Sequence, residues 1–169
     1  MSWNNDNVPK IILDYDDSDM KRVVSELSAT LDKNNFGDGG RRLRNMAALA
    51  SVGAERATNK MAERATNEVR NLMRERQYNQ PSYHPGVRAF DSQRMVNNLK
   101  DHKNGNRHEI YTTTTNGGYN YSQAFEFGLL TRRYPAHHPF EDTATHLDLR
   151  QLNGPFEQMI DEAIRKGFS

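Results

Sequence analysis

Cysteine is absent from this 169-residue chain, which excludes disulfide frameworks, thiolate zinc sites and cysteine nucleophiles. No apolar run approaches the roughly 18 residues that a membrane span needs. The opening MSWNNDNVPK lacks the charged and apolar regions of a secretory signal. These two absences lead to an expectation of a soluble protein made in the cytoplasm. An excess of one charge is missing too: 23 Lys and Arg stand against 22 Asp and Glu, leaving +1. A dedicated polyanion binder usually shows a clear basic excess. Large apolar side chains are scarce, since Leu, Ile, Val and Phe together number 31 of 169 residues. A share below about 20 % would point to disorder if the net charge were high. At +1 it points instead to a folded but thinly cored protein that gains stability from neighbours, because burial at about 25 cal/mol/Å² needs apolar area that this chain barely has.

The length fits one domain, or one domain with an extended arm. Residues 1–10 are polar and Asn-rich and read as a flexible arm, dispensable for folding and able to order on a partner. Residues 11–169 read as a single domain. Ile11, Ile12 and Leu13 form a short apolar run that length alone assigns neither to strand nor to helix. Asp16 to Asp19 offer capping and first-turn acids. Met20, Val23, Val24, Leu27 and Leu31 follow at helical spacing, which predicts an amphipathic helix over Ser18–Lys33, broken by Phe36-Gly37-Asp38-Gly39-Gly40. Asp14, Asp16, Asp17 and Asp19 lack the glycine and closing glutamate of an EF-hand loop, so capping accounts for them better than calcium does.

The clearest element runs from Arg41 to about Gln77. Leu43, Met46, Ala50, Ala54, Ala57, Met61, Ala65, Val69 and Leu72 recur at a mean spacing of about 3.6, the α period. Such a helix would be roughly 55 Å long at 1.5 Å per residue, and its Ala- and Met-rich stripe lets a neighbour approach closely. It carries nine Arg or Lys against four Glu. Arg56, Arg64 and Arg70 are the candidates for a face toward DNA or a partner. The plainer reading is a solvated face with local pairs such as Lys60 with Glu63 and Arg64 with Glu68, each adding roughly 0.2–0.5 kcal/mol. No aromatic residues are interleaved for base stacking.

Residues 78–90 read as a loop, and Asp91–Lys100 as a short helix turning Met95, Val96 and Leu99 inward. Lys103-Asn104-Gly105-Asn106 is a turn. Arg107–Thr115 is β-branched and aromatic and predicts a strand. Asn116-Gly117-Gly118 predicts a hairpin turn, with Tyr119–Leu130 returning. Pro135–Pro139 is a loop, and Glu141–Leu152 and Pro155–Lys166 are closing helices. The pattern is α+β, with the long helix and closing helices packed on a small antiparallel sheet.

Catalytic signals are weak. On a strand, Glu126 would face away from Phe125 and Phe127, toward a neighbouring subunit or an arginine such as Arg132 or Arg133. No second carboxylate partner and no nucleophile elbow accompany it. A metal site built on His137-His138 with His146 or Glu141 is disfavoured, because adjacent histidines diverge on any regular element and no H-x-x-x-H pair is present. The six histidines read as surface or interface residues. The expectation is a non-enzyme with no metal and no cofactor.

Two strings carry a family resemblance: YSQAFEFG at 121–128 and PAHHPFEDTATHL at 135–147. Tyr121, Ser122, Phe125, Glu126, Phe127 and Gly128 match the first motif, and Pro139, Phe140 and Ala144 the second. In these, and in the order of its elements, the chain resembles the neck and tail-completion proteins of long-tailed bacteriophages, the head–tail joining proteins or minor tail components. It departs from them at Ala89, Ser92, Gln93 and Met95, where the family has Pro-x-x-Thr-Gly-x-Leu, and at Leu129, where the family has Thr. The resemblance implies a virion protein that forms a homo-oligomeric, sixfold ring in the neck. That ring would join the connector or head-closure protein to the tail terminator or tail tube, and would pass duplex DNA without sequence specificity or any membrane contact. The alternatives are a tail terminator ring and a nucleic-acid-binding accessory protein that uses the basic long helix.

Overall fold

The computed structural model describes residues 8–78, 94–116, 119–128 and 135–147, together with 157–158, 161–162 and 164–166. Its elements are β1 (Lys10–Leu13), α1 (Ser18–Lys33), α2 (Gly37–Tyr78), α3 (Arg94–Asn97), β2 (Leu99–Asn104), β3 (Arg107–Thr112), β4 (Thr115–Asn116), β5 (Tyr119–Asn120), α4 (Tyr121–Phe127) and α5 (Pro139–His146). The chain divides into two compact units. One takes in Met1–Leu13, Ala62–Asn104 and His108–Leu147; the other takes in Asp14–Met61, Gly105–Arg107 and Asp148–Ser169.

The first unit is built on a three-stranded sheet of order β1-β3-β2. β3 is central because its sequence alternates: His108, Ile110 and Thr112 are buried while the residues between them are half-buried. β1 runs antiparallel to it, with Ile11 opposite Ile110 and Leu13 opposite His108. The three apolar residues that length left undecided are therefore a strand. Ala62, Ala65, Val69 and Met73 from α2, Met95 and Val96 from α3, Phe125 from α4 and Phe140 from α5 complete the core over Ile11 and Ile110. The fold is α+β, with a long helix and shorter helices on a small antiparallel sheet.

Two assignments need correcting here. Of the predicted helix Asp91–Lys100, residues 91–93 lie outside the described residues, Arg94–Asn97 is helical, and the chain enters β2 at Leu99. Met95, Val96 and Leu99 do face inward, but Leu99 does so from a strand. β2 reads LKDHKN and buries only its first residue, so it has no alternation of its own and exists through its pairing with β3. The turn between them includes Gly105 in the left-handed region at φ 60. The predicted Asn116-Gly117-Gly118 turn lies between β4 and β5, of two residues each, paired Thr115 to Asn120 and Asn116 to Tyr119. The returning strand ends at Asn120, because Tyr121–Phe127 is helical. Residues 1–7, 79–93, 117–118, 129–134 and 148–156 lie outside the described residues. So do most of the arm, the predicted loop 78–90 apart from Tyr78, which ends α2, the far end of the first predicted closing helix and the start of the second. Lys10, counted with the arm, belongs to β1.

In the second unit α1 has the predicted bounds. It does not end at the glycines. Asn35 takes the left-handed region at φ 65, the N–H of Phe36 donates to the Leu31 carbonyl at 2.9 Å, and that of Asn35 to Asp32 at 3.3 Å. This pair of bonds is the Schellman arrangement, which asparagine can enter in place of glycine. α2 then starts at Gly37, through the glycines predicted to break the chain. Their use is close approach: a Cβ on Gly40 would lie 2.5 Å from Asp32 Oδ1 and 3.1 Å from the Ser28 carbonyl, and Ser28 Oγ donates to the Gly40 carbonyl at 3.3 Å. The α1 stripe is only partly covered, with Val24 buried and Val23 and Leu27 exposed.

Asp17, expected to cap α1, makes no side-chain cap bond. It turns to α2 instead: its Oδ2 accepts from Ser51 Oγ at 2.5 Å and from Tyr15 at 2.8 Å, and it pairs with Lys21 at 2.7 Å. The Lys21 and Ser51 contacts hold its carboxyl down at about 2. A depressed carboxyl contributes stability above its unfolded value, about 3.9, and loses it as pH falls through its native value. Asp17→Asn is therefore expected to flatten the loss of melting temperature between pH 4 and pH 2 relative to the wild type. Parallel curves for the two proteins would remove Asp17 from the acid transition.

Candidate functional site

The two motif strings meet in the first unit. α4 presents Ser122, Phe125 and Glu126, spaced i, i+3 and i+4, on one buried face. It stops where Gly128, at φ 72, returns its N–H to the Ala124 carbonyl at 2.8 Å. α5 opens with His138 as N-cap, in the left-handed region at φ 48, and Pro139 in its first turn. Pro139 has no N–H to satisfy, which leaves the next two amides as the exposed donors of the helix start. His138 makes no side-chain cap. The cap comes from α4: Glu126 Oε2 accepts from the Phe140 N–H at 3.0 Å, and Oε1 from the Glu141 N–H at 2.8 Å.

Glu126 is only 1 % exposed. Burial pushes its carboxyl up, while the amides of Phe140 and Glu141 and the nearby His138 pull the other way. This corrects the expectation of a strand that turns Glu126 outward. On a helix, Phe125 and Glu126 both go inward and Phe127, 57 % exposed, goes out. Arg132 and Arg133, its expected partners, lie outside the described residues. Pro139 and Phe140 are buried, and Ala144 is exposed. Tyr121 opens α4, and its side chain is outside the described set.

The segment before α5 is tied down on both sides. The His137 N–H donates to the Phe125 carbonyl at 2.9 Å, and the His138 N–H to the Glu126 carbonyl at 3.3 Å. The His137 ring stacks on Phe125 with centroids 4.4 Å apart. From α2, the Arg76 guanidinium donates to the His137 carbonyl and pairs with Asp142 at 2.5 Å. Arg76 was missed as a site residue, since it read as one more charge on a basic helix, and His137 was weighed only as a metal ligand. His108 is also buried, with Nδ1 2.9 Å from Asp101 across the β2–β3 hairpin. The expectation that the histidines lie at surfaces fails for these two: Asp101 faces the buried His108 ring, and Phe125 covers the His137 ring.

Among the described residues, Glu126, His138 and Glu141 bring ligand-type atoms within 4.8 Å of one another. Both Glu126 oxygens, however, already face amides at the positive end of α5, which favours an anion and opposes a cation. His138 Nδ1 lies 2.8 Å from Glu141 Oε2. Within this group Glu126 caps the start of α5.

On α2, Arg56 and Arg64 are exposed, and Arg70 is half-buried and donates to Asn67 Oδ1 at 2.8 Å. The expected pairs Lys60–Glu63 and Arg64–Glu68 do not form among the described residues, as suits contacts too weak to hold two long side chains. No described helix is long and apolar enough to cross a membrane. No known family model, curated protein or solved structure matches the chain.

Proposed function

We propose that the protein is a structural component of a bacteriophage neck, a ring that joins the DNA-filled head to the tail and lets DNA pass. The observation that carries this reading is the union of the two motif strings: Glu126 of the first caps the helix that Pro139 and Phe140 of the second begin. Motif residues used in this way build a scaffold rather than a catalytic centre. The Glu126 carboxylate has both oxygens engaged by backbone amides and is buried, so it serves architecture and not proton transfer to a substrate. Copies of the chain would associate head-to-tail and close by rotation, with sixfold symmetry following the tail. The connector or head-closure protein would lie on one side, and the tail terminator or tube on the other. A near-neutral chain lets duplex DNA slide, because phosphate neutralisation is what retains it.

A second reading has its own support. Arg56 and Arg64 are exposed and form no ion pair among the described residues, which leaves them available to phosphates in a nucleic-acid-binding accessory protein.

The test is electron microscopy of lysates from a phage deleted for this gene. Separate DNA-filled heads and finished tails are the expected result. Overlong tails would assign the chain to the tail terminator, and intact virions would overturn both ring readings. Charge reversal at Arg56, Arg64 and Arg70 together separates the second reading: lost DNA affinity with normal virion assembly would favour the accessory role.

A further inference from the structure

In the second unit, α1 and the first part of α2 form a hairpin. Ser28 Oγ donates to the Gly40 carbonyl at 3.3 Å, and Ser51 Oγ donates to Asp17 at 2.5 Å. Each helix leaves two large apolar side chains in water: Val23 and Leu27 of α1 and Leu49 and Val52 of α2 are 40–51 % exposed. Scattered singly, such residues would mean little. Here each pair is set in a row with charge of one sign.

Asp19, Val23 and Leu27 follow at i, i+4 and i+8 and share a face of α1. Leu49, Val52 and Arg56, at i, i+3 and i+7, share a face of α2, and the exposed Lys60 extends it by a turn. At 1.5 Å per residue the first row is about 12 Å long and the second about 10 Å. Run antiparallel, the rows match: Leu27 meets Leu49, Val23 meets Val52, and Asp19 meets Arg56. Asp19 and the neighbouring Glu26 contact the exposed Arg22 at 3.1 and 3.8 Å, pairs of a kind weak enough to give way to a partner.

The rows do not meet within one chain. Ser28 on α1, and Gly40 and Ser51 on α2, mark the sides on which the helices touch. Each row is centred roughly 140° round its helix from those residues. The acidic row therefore lies on one edge of the hairpin and the basic row on the other.

We propose that these edges bind one another between copies of this chain, the Asp19–Val23–Leu27 row of α1 docking on the Leu49–Val52–Arg56 row of α2 in the next copy. The two rows are different surfaces, so a bound copy still offers its second row. The contact is heterologous, and assembly runs past a dimer. A second copy suits the α2 row better than a nucleic acid, because Leu49 and Val52 interrupt its charge and phosphates gain nothing from them. The contact would serve the head-to-tail association of the ring reading, but the two rows alone carry it. Copies joined through other surfaces would end this proposal and leave that reading standing.

Sedimentation of the purified full chain tests the contact at about 100 µM, a concentration that populates micromolar complexes. Wild-type species larger than a dimer are expected. Asp19→Arg and Arg56→Glu should each weaken association at least about tenfold, by setting like charges opposite one another. Chains carrying both changes should recover it, as should an equimolar mixture of the two single variants. A monomeric wild type, a strict dimer, or a double variant no better than the singles would overturn the proposal. So would an Arg56→Glu chain that loses retention of duplex DNA yet associates normally, which would give the α2 row to phosphates. Should a charge variant fail to fold, cysteine cross-linking decides, since the chain has no cysteine of its own. Leu27→Cys and Leu49→Cys chains are expected to form a disulfide with each other on mild oxidation. Products in which each variant links only to itself would overturn the contact.

Discussion

Phe140→Ala is expected to destabilise the protein by about 3–5 kcal/mol, the range for deleting a buried aromatic ring. Phe140 is 3 % exposed and belongs to the cluster that includes Met73, Ile110 and Phe125. In a chain with few large apolar residues no neighbour is well placed to fill the gap, so the cavity should persist. Against a total stability of about 5–15 kcal/mol for an ordinary domain, the loss would leave a marginal protein. Urea titration should show a lower midpoint with an unchanged slope, and Phe140→Leu should recover part of the difference. A variant that melts with the wild type would mean that the ring is not part of the core.

Glu126→Ala should be the second most damaging change, at about 2–4 kcal/mol, since it removes a charged acceptor and leaves the amides of Phe140 and Glu141 without a partner at a helix start. Glu126→Gln separates the charge from the bond. Its oxygen still accepts one amide while its NH₂ meets the other, and the desolvation penalty that raises the Glu126 carboxyl disappears. The glutamine variant should therefore lose about half as much as the alanine variant. Circular dichroism melts at neutral pH order the three proteins. If alanine and glutamine prove equal, the capping account is wrong, because the retained oxygen would then contribute nothing.

How far the chain could be read from its residues depended on the range of the interactions. α1 was legible to both bounds because its apolar spacing and flanking acids are local. The interior of α2 was legible for the same reason. Its start was not, because Gly37, Gly39 and Gly40 look like a break until α1 lies against Gly40. β2 was hidden, since a strand that buries only Leu99 carries no period of its own. At Glu126 the motif was visible and its use was not. Ser122, Phe125 and Glu126 do have helical spacing, a signal that the flanking aromatics obscured by looking like strand alternation. Arg76 and Asp142 lie on elements far apart in sequence, and nothing near either residue announces their pairing.

The borrowed cap of α5 bears on the order in which the chain acquires structure. A helix as short as Pro139–His146 is marginal in water on its own, since nucleation is unfavourable and few bonds follow. Its own N-cap residue supplies no side-chain bond, so the missing acceptor arrives only when α4 has formed and brought Glu126 into place. Interactions within α5 should then be absent from the folding transition state and present only after it. Changes there would speed unfolding and leave the folding rate nearly untouched. The lifetime of the native protein, rather than the speed with which it forms, is what this helix governs.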